Sequence, residues 1–256
     1  MIRISIITIT YNAERCLQRT LDSVAHQSYP YIEHLIVDGA SKDNTLQIAQ
    51  RYQEASTYEV NISSEPDHGL YDAMNKGLRR ATGDYVVFLN AGDALHATDT
   101  LQTVINAIPS SALPAVIYGD TAITDADGHF LHLRRLRPPR ELTWRSFRQG
   151  MLVCHQAFYA RLDIARHIEY DLQYRHSADV DWCIRVMKEA ERQKLPLVNT
   201  NAILADFEDG GNTTQNHHAS LKERYRVMAH HYGQFQTFLL HGWFVIRAVI
   251  SRISSH

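Results

Sequence analysis

Residues 3–10 (RISIITIT) form a run of β-branched and apolar side chains, too short for a helix and too continuous for a half-exposed strand. Such a run predicts a strand buried on both faces. The period then changes. Leu17, Leu21 and Val24 fall on one helical face, with Asn12 placed to cap that helix. Residues 32–38 (IEHLIVD) predict a second strand, a helix follows from about residue 44, and residues 58–63 give a weaker third strand. Met74, Leu78 and Ala81 share a stripe that predicts a helix over 70–81, and residues 84–90 and 115–120 predict two more strands. Repeated βα units of this kind make a mostly parallel sheet covered by helices.

After residue 120 the rhythm breaks. Asp125-Ala126-Asp127-Gly128 predicts the turn of a hairpin. Residues 134–148 carry six Arg and two Pro and read as an exposed loop. A helix over 177–190, a strand over 196–204, and helices over 218–232 and 237–252 complete the chain. The last helix (TFLLHGWFVIRAVISRIS) is interrupted by His241 and Arg247 and is shorter than the ~20 residues of a membrane span. Two readings stand for it: a helix lying in a membrane interface, or a cover for a core or dimer face.

Composition narrows the class. With 256 residues, 45% hydrophobic, 21% charged, 12 Gly and 7 Pro, the chain suits one large α/β domain and excludes disordered, collagen-like and coiled-coil classes. The net charge of −2 hides a split: residues 1–133 carry 8 basic and 16 acidic side chains, a net of −8, and residues 134–256 carry 18 and 12, a net of +6. Cys16, Cys154 and Cys183 have no CxxC spacing, which argues against a disulfide framework and suits a reducing compartment. The opening MIRISIITITYN reads as a strand rather than a cleavable leader. The 15 His show no HExxH spacing and read mostly as surface residues.

In an open α/β sheet, ligands bind beyond the carboxyl ends of the strands. The polar clusters at those ends are Thr10-Tyr11-Asn12, Asp38-Gly39-Ala40-Ser41 and Asn90-Ala91-Gly92-Asp93, which point to one rim. No GxGxxG or GxxxxGK[ST] follows a strand, which argues against dinucleotide dehydrogenases and P-loop enzymes.

SIITITYN at 5–12, VDGASKDNT at 37–45, EPDHGLYDAMNKGLRRATGDYVVFLNAGD at 65–93 and SADVDWCIR at 177–185 together resemble family 2 glycosyltransferases. The resemblance is close over about the first 95 residues and looser to about residue 205. It implies the GT-A (nucleotide-diphospho-sugar transferase) α/β fold, with a mostly parallel central sheet, helices on both faces and C-terminal helices. The expected catalytic domain is 1–205, with a donor-nucleotide half over 1–95 and an acceptor half over 96–205, followed by a helical extension over 206–256. The implied activity is inverting transfer of a sugar from a nucleotide-sugar donor to an acceptor hydroxyl. The expected acceptor is a saccharide or lipid-linked saccharide of a cell-envelope polysaccharide, met at the cytosolic face of the inner membrane by peripheral contact, with no nucleic-acid partner. Two alternatives stay open. A nucleotidyltransferase needs a Gly- and basic-rich loop near its start, and TITYNAER lacks one. A non-catalytic sugar-nucleotide-binding module would keep Tyr11 and Asp38 but dispense with Asp179.

The resemblance also assigns roles. Thr10, Tyr11 and Asn12 border the donor, with Tyr11 against the nucleobase. Asp38 accepts from the base or caps its own turn. Asp67 and Asp72 lie beside the nucleotide, while Lys76 either joins them or pairs with Asp72 at i,i+4. Asn90 faces the ribose. The family's Asp-x-Asp is reduced here to Asp93, the expected ligand for Mg2+ or Mn2+ on the diphosphate. Asp179 is the expected catalytic base, with a helix N-cap as its alternative; Asp181 pairs with Arg185 at the surface. His155 and Gln156 border the acceptor or serve the fold.

Overall fold

The computed structural model describes residues 1–209 and 217–239. Its first half is β1 (Ile4–Thr10), α1 (Leu17–Ala25), β2 (Ile32–Asp38), α2 (Thr45–Ala55), β3 (Glu59–Ser64), α3 (Leu70–Arg80) and β4 (Tyr85–Phe88). The second half begins with β5 (Ala94–Leu95), α4 (Thr100–Asn106), β6 (Val116–Thr124), β7 (Phe130–Leu133), β8 (Phe158–Arg161) and α5 (Leu162–Ala165). It ends with α6 (Ala178–Arg192), β9 (Leu197–Glu208) and α7 (His217–Tyr232).

Among the described residues these strands form one sheet in the order β3-β2-β1-β4-β8-β6-β9-β5, with β7 paired to β6. β1 to β4 run parallel, and β6 and β9 run with them; β8, β7 and β5 are antiparallel to their neighbours. The sheet is therefore mostly parallel, as its βα rhythm predicts. Successive side chains of a strand point to opposite faces. Accordingly, Ile36 packs with Leu17, Leu21 and Ile48 of α1 and α2, whereas Val37 belongs to the core of α3. Helices cover both faces.

Where α3 crosses the sheet, the sequence supplies Gly77. A Cβ there would stand 2.5 Å from Ile7 Cγ2. Gly77→Ala is expected to cost about 1–3 kcal/mol by overpacking a full core, read as a lower melting temperature. An unchanged value would mean that α3 shifts off β1 at no cost.

An aromatic column joins the two halves. Tyr71 of α3 stacks on Tyr170 (5.4 Å between centroids), Tyr170 stacks on Trp182 of α6 (5.1 Å), and Phe88 of β4 meets Trp182 edge-on (5.5 Å). The expected Asn12 cap is not formed. Asn12 adopts a left-handed φ of 49°, which Asn tolerates better than most residues, and α1 begins only at Leu17. The Asn12 side chain instead accepts from the Lys42 N–H (2.9 Å), clipping the loop after β1 to the loop after β2.

The Arg-rich segment is less solvated than predicted. Arg137 pairs with buried Asp120, Arg145 pairs with Glu191, and Arg134 donates to the Met151 carbonyl (3.1 Å). Arg135 and Arg140 remain exposed. His34 departs from the surface expectation for His: it is fully buried between the Thr8 and Tyr52 hydroxyls, and burial pushes its pKa down to about 3.

β9 runs to Glu208, past the expected end at residue 204. Asp181 does bind Arg185 (2.7 Å), but it is 2% exposed rather than at the surface, and its other oxygen takes His231 Nε2 of α7 (2.7 Å). The expected helix over 237–252 lies mostly outside the described residues; residues 234–239 are helical. Among the described residues no helix is long and apolar enough to cross a membrane.

Candidate active site

The carboxyl ends of β1, β2 and β4 bring the predicted clusters to one rim, as parallel strands must. Asp38 closes β2 and is 1% exposed. Its Oδ1 accepts from the Thr10 hydroxyl (3.1 Å) and the Ser41 hydroxyl; its Oδ2 accepts from the Ser41 N–H (3.0 Å) and the Ser64 hydroxyl (2.6 Å). These four bonds make Asp38 a cap of the turn after β2. Thr10 is likewise buried and spent on Asp38.

Tyr11, by contrast, is 64% exposed. Its ring lies over Gly39, where an added Cβ would meet Tyr11 Cδ2 at 3.3 Å and Asp67 Oδ2 at 2.5 Å. Glycine thus lets Asp67 and Tyr11 close over the strand end. Asp67 also accepts from the Gly69 N–H (2.8 Å), and Asp72 accepts from the His68 N–H (3.0 Å) in the first turn of α3. Lys76 donates to the Pro66 carbonyl (2.8 Å) and lies nearer Glu65 (3.2 Å) than Asp72 (3.8 Å), so it staples the loop ahead of its helix.

Asp179 sits in the first turn of α6 with its side chain 17% exposed. The Tyr71 hydroxyl, carried by the aromatic column, donates to its Oδ1 (3.2 Å). On the other side Asn90 Nδ2 donates to His155 Nε2 (3.2 Å), which leaves the imidazole Nδ1 facing Asp179 Oδ2 at 3.4 Å. Burial pushes the Asp179 carboxyl up, but the His155 imidazole hydrogen bond and the nearby charge of Arg224 outweigh it and hold the group below its ordinary value. Asp179 is therefore ionised at neutral pH. The N-cap position belongs to Ser177.

Gln156, beside His155, donates Nε2 to Asp93 Oδ2 (2.7 Å). Burial drives the Asp93 pKa up to about 6, against the Gln156 hydrogen bond. His155 and Gln156 thus tie the β4 strand end to α6. Two orphaned buried acceptors, Asn90 Oδ1 and Gln156 Oε1, remain around this turn.

A family model described as "Glycosyl transferase family 2" matches residues 5–168. The chain belongs to glycosyltransferase family 2. A PGL/p-HBAD biosynthesis glycosyltransferase of Mycobacterium bovis (strain BCG / Pasteur 1173P2) is 36% identical over 185 residues, 71% of this chain and 68% of its own length. The amylovoran biosynthesis glycosyltransferase AmsB of Erwinia amylovora is 31% identical over 198 residues, 73% of this chain and 64% of its own. The structure of S. aureus TarS 1-349 in complex with UDP-GlcNAc aligns at a TM-score of 0.72 with 19% identity, over 88% of this chain and 64% of that one. The mannosyltransferase PcManGT from Pyrobaculum calidifontis, in complex with GDP-Man and Mn2+, aligns at 0.64 with 15% identity, over 99% of this chain and 80% of that one. Both likenesses show the GT-A fold, and this chain is a GT-A glycosyltransferase.

Sequence reasoning missed three residues that the structure brings to this candidate site. Tyr71 reads as one apolar position of α3, yet its hydroxyl holds Asp179. Arg224 of α7 bears on the Asp179 charge from an element expected to be an appendage. Glu208 reaches the Asp93 turn because β9 is longer than predicted, and its N–H points at Asp93 Oδ1 (3.4 Å). The acidic ending of LADFE was the available signal. The donor set around Asp93, one buried carboxylate and two unpaired amide oxygens, suits a hard divalent cation, which accepts both oxygen types. The group Asp125, Asp127 and His129 lies instead in the β6–β7 turn, where the Asp125 carboxylate accepts the Asp127 and His129 N–H groups (3.0 and 2.8 Å).

Proposed function

We infer that this glycosyltransferase moves a sugar, with inversion, from a nucleoside diphosphate donor to the hydroxyl of a lipid-linked saccharide. One observation carries the reading: an ionised carboxylate, Asp179, is clamped by Tyr71 and His155 beside the strand-end turn that holds Asn90 and Asp93. In-line displacement at an anomeric carbon needs a base for the incoming hydroxyl and a cradle for the departing diphosphate on opposite sides of that carbon. Asp179 takes the acceptor proton as the new C–O bond forms and the bond to the diphosphate breaks. Tyr71 and His155 fix the carboxylate's aim. Tyr11 offers its exposed ring to the nucleobase, Asp67 and Asp72 border the nucleotide, and Asp38 shapes the floor beneath it. A Mg2+ or Mn2+ ion held by Asp93 would supply neutralisation of the charge gathering on the leaving diphosphate.

The donor class is supported by the UDP-GlcNAc and GDP-Man of the two structural neighbours. The acceptor class is supported by the amylovoran and PGL/p-HBAD biosynthesis names of the relatives and by exposed Arg135 and Arg140, whose guanidinium forks suit phosphate. Such an acceptor puts the enzyme at the cytosolic face of the inner membrane.

Screening nucleotide sugars by thermal shift and donor hydrolysis tests the reading. One sugar nucleotide should stabilise the protein and be consumed, and NMR of the product should give the anomeric configuration opposite to the donor's. Retention would refute the single-displacement mechanism. Base stacking is worth about 1–3 kcal/mol, so Tyr11→Ala should raise the donor KM roughly tenfold with little change in melting temperature. An unchanged KM would remove Tyr11 from the donor site.

A further inference from the structure

We propose that Glu208 is the second carboxylate ligand of the divalent-cation site, supplied by the end of β9 where the run Asn90-Ala91-Gly92-Asp93 keeps only one. The inference rests on the cation assigned above to Asp93.

Three observations converge. First, the Glu208 carboxylate lies against the strand-end turn: a Cβ at Gly92 would stand 2.7 Å from Glu208 Oε2. Gly92 also has a φ of 102°, so glycine both permits the turn and leaves room for this carboxylate. Second, Gln156 is 1% exposed, holds Asp93 Oδ2 through Nε2 (2.7 Å), and leaves Oε1 with no partner; Asn90 Oδ1, in the same turn as Asp93, is unpartnered too. Buried acceptors without donors are rare in native proteins, and a cation satisfies several at once. Third, among the described residues no Lys or Arg pairs with Asp93 or Glu208.

The chemistry of the set selects the metal. Two carboxylates and two amide oxygens are hard ligands, suited to Mg2+ and Mn2+. The ligands would come from both halves of the chain, β4's end and β9's end. Cation binding would therefore tie the donor half to the strand beside the acceptor side.

The test is direct binding of Mn2+ alone to the full-length protein, followed by loss of the free-ion EPR signal, with circular dichroism to confirm folding. Wild type is expected to bind, Glu208→Gln to bind at least tenfold more weakly, Asp93→Asn as weakly or more so, and Asp127→Asn, in the separate hairpin cluster, like wild type. Glu208→Asp, which shortens the arm but keeps the charge, should fall between wild type and Glu208→Gln. Wild-type affinity in Glu208→Gln, with binding lost in Asp93→Asn, would overturn the role of Glu208 and leave the Asp93 cation standing. Loss in Asp127→Asn alone would move the ion to the hairpin and overturn both. No binding by wild type would also overturn both, while the donor screen and product stereochemistry would still judge the transferase reading on their own.

Discussion

Asp179→Asn is expected to lower kcat by roughly 10²–10⁴-fold, the usual contribution of a positioned base, with the donor KM and the melting temperature near wild type. The two side chains have nearly the same shape, so the amide oxygen keeps the Tyr71 hydrogen bond while the proton acceptor is lost. A merely structural Asp179 would give the reverse pattern, lower stability and normal turnover. The pH profile provides a second readout. Activity requires the ionised form, and the folded-state carboxyl is held below its ordinary value. Moving down from neutrality, kcat should therefore stay flat until below about pH 4, the ordinary carboxylate range, provided that the enzyme stays folded. An acid limb near pH 6 would point to another group as the base. Donor hydrolysis and acceptor transfer at wild-type rates in Asp179→Asn would sink the assignment.

What the sequence discloses about this site follows from how far apart its partners are. β1 and β2 are legible because they are buried on both faces and their polar residues can only gather at the ends. The rim is therefore legible too. Side-chain roles are another matter. Asp38 takes one of its donors from Ser64, 26 positions along, which no local pattern announces. His155 and Gln156 lead into β8, a four-residue strand inserted antiparallel between β4 and β6 with no period to announce it. Their partners, Asn90 and Asp93, lie 65 and 63 positions away, so no local pattern marks them as the link between strand end and base. Glu208 is hidden for a different reason: its strand is four residues longer than its apolar pattern.

Asp181→Ala is expected to be the most destabilising change at the start of α6, by about 3–5 kcal/mol, the cost of removing one partner from a buried ion pair. For a chain of this size, that corresponds to roughly 10 °C in melting temperature. Asp181 binds Arg185 through one oxygen and His231 of α7 through the other, and Lys188 Nζ lies 2.9 Å from the opposite imidazole nitrogen. Removing the carboxylate leaves Arg185 with only the Glu169 carbonyl and His231 Nε2 without its acceptor, and it loosens α7, whose Tyr232 ring stays stacked on Trp144 (5.5 Å). The pH dependence has a definite sign. Burial pushes the Asp181 carboxyl up, but the His231 hydrogen bond and the Arg185 charge outweigh it, so the folded-state value is depressed. Its stabilisation is then fully present above the unfolded carboxylate value of about 3.9 and is lost as pH falls through the folded one. Thermal melts from pH 7 to pH 3 should show wild type and Asp181→Ala converging only at the acid end. Two carboxylates two residues apart are thus expected to separate into a proposed base whose loss spares the fold and a buried anchor whose loss does not. Equal melting temperatures for Asp181→Ala and wild type at pH 7 would assign the docking of α7 to its aromatic and apolar contacts instead.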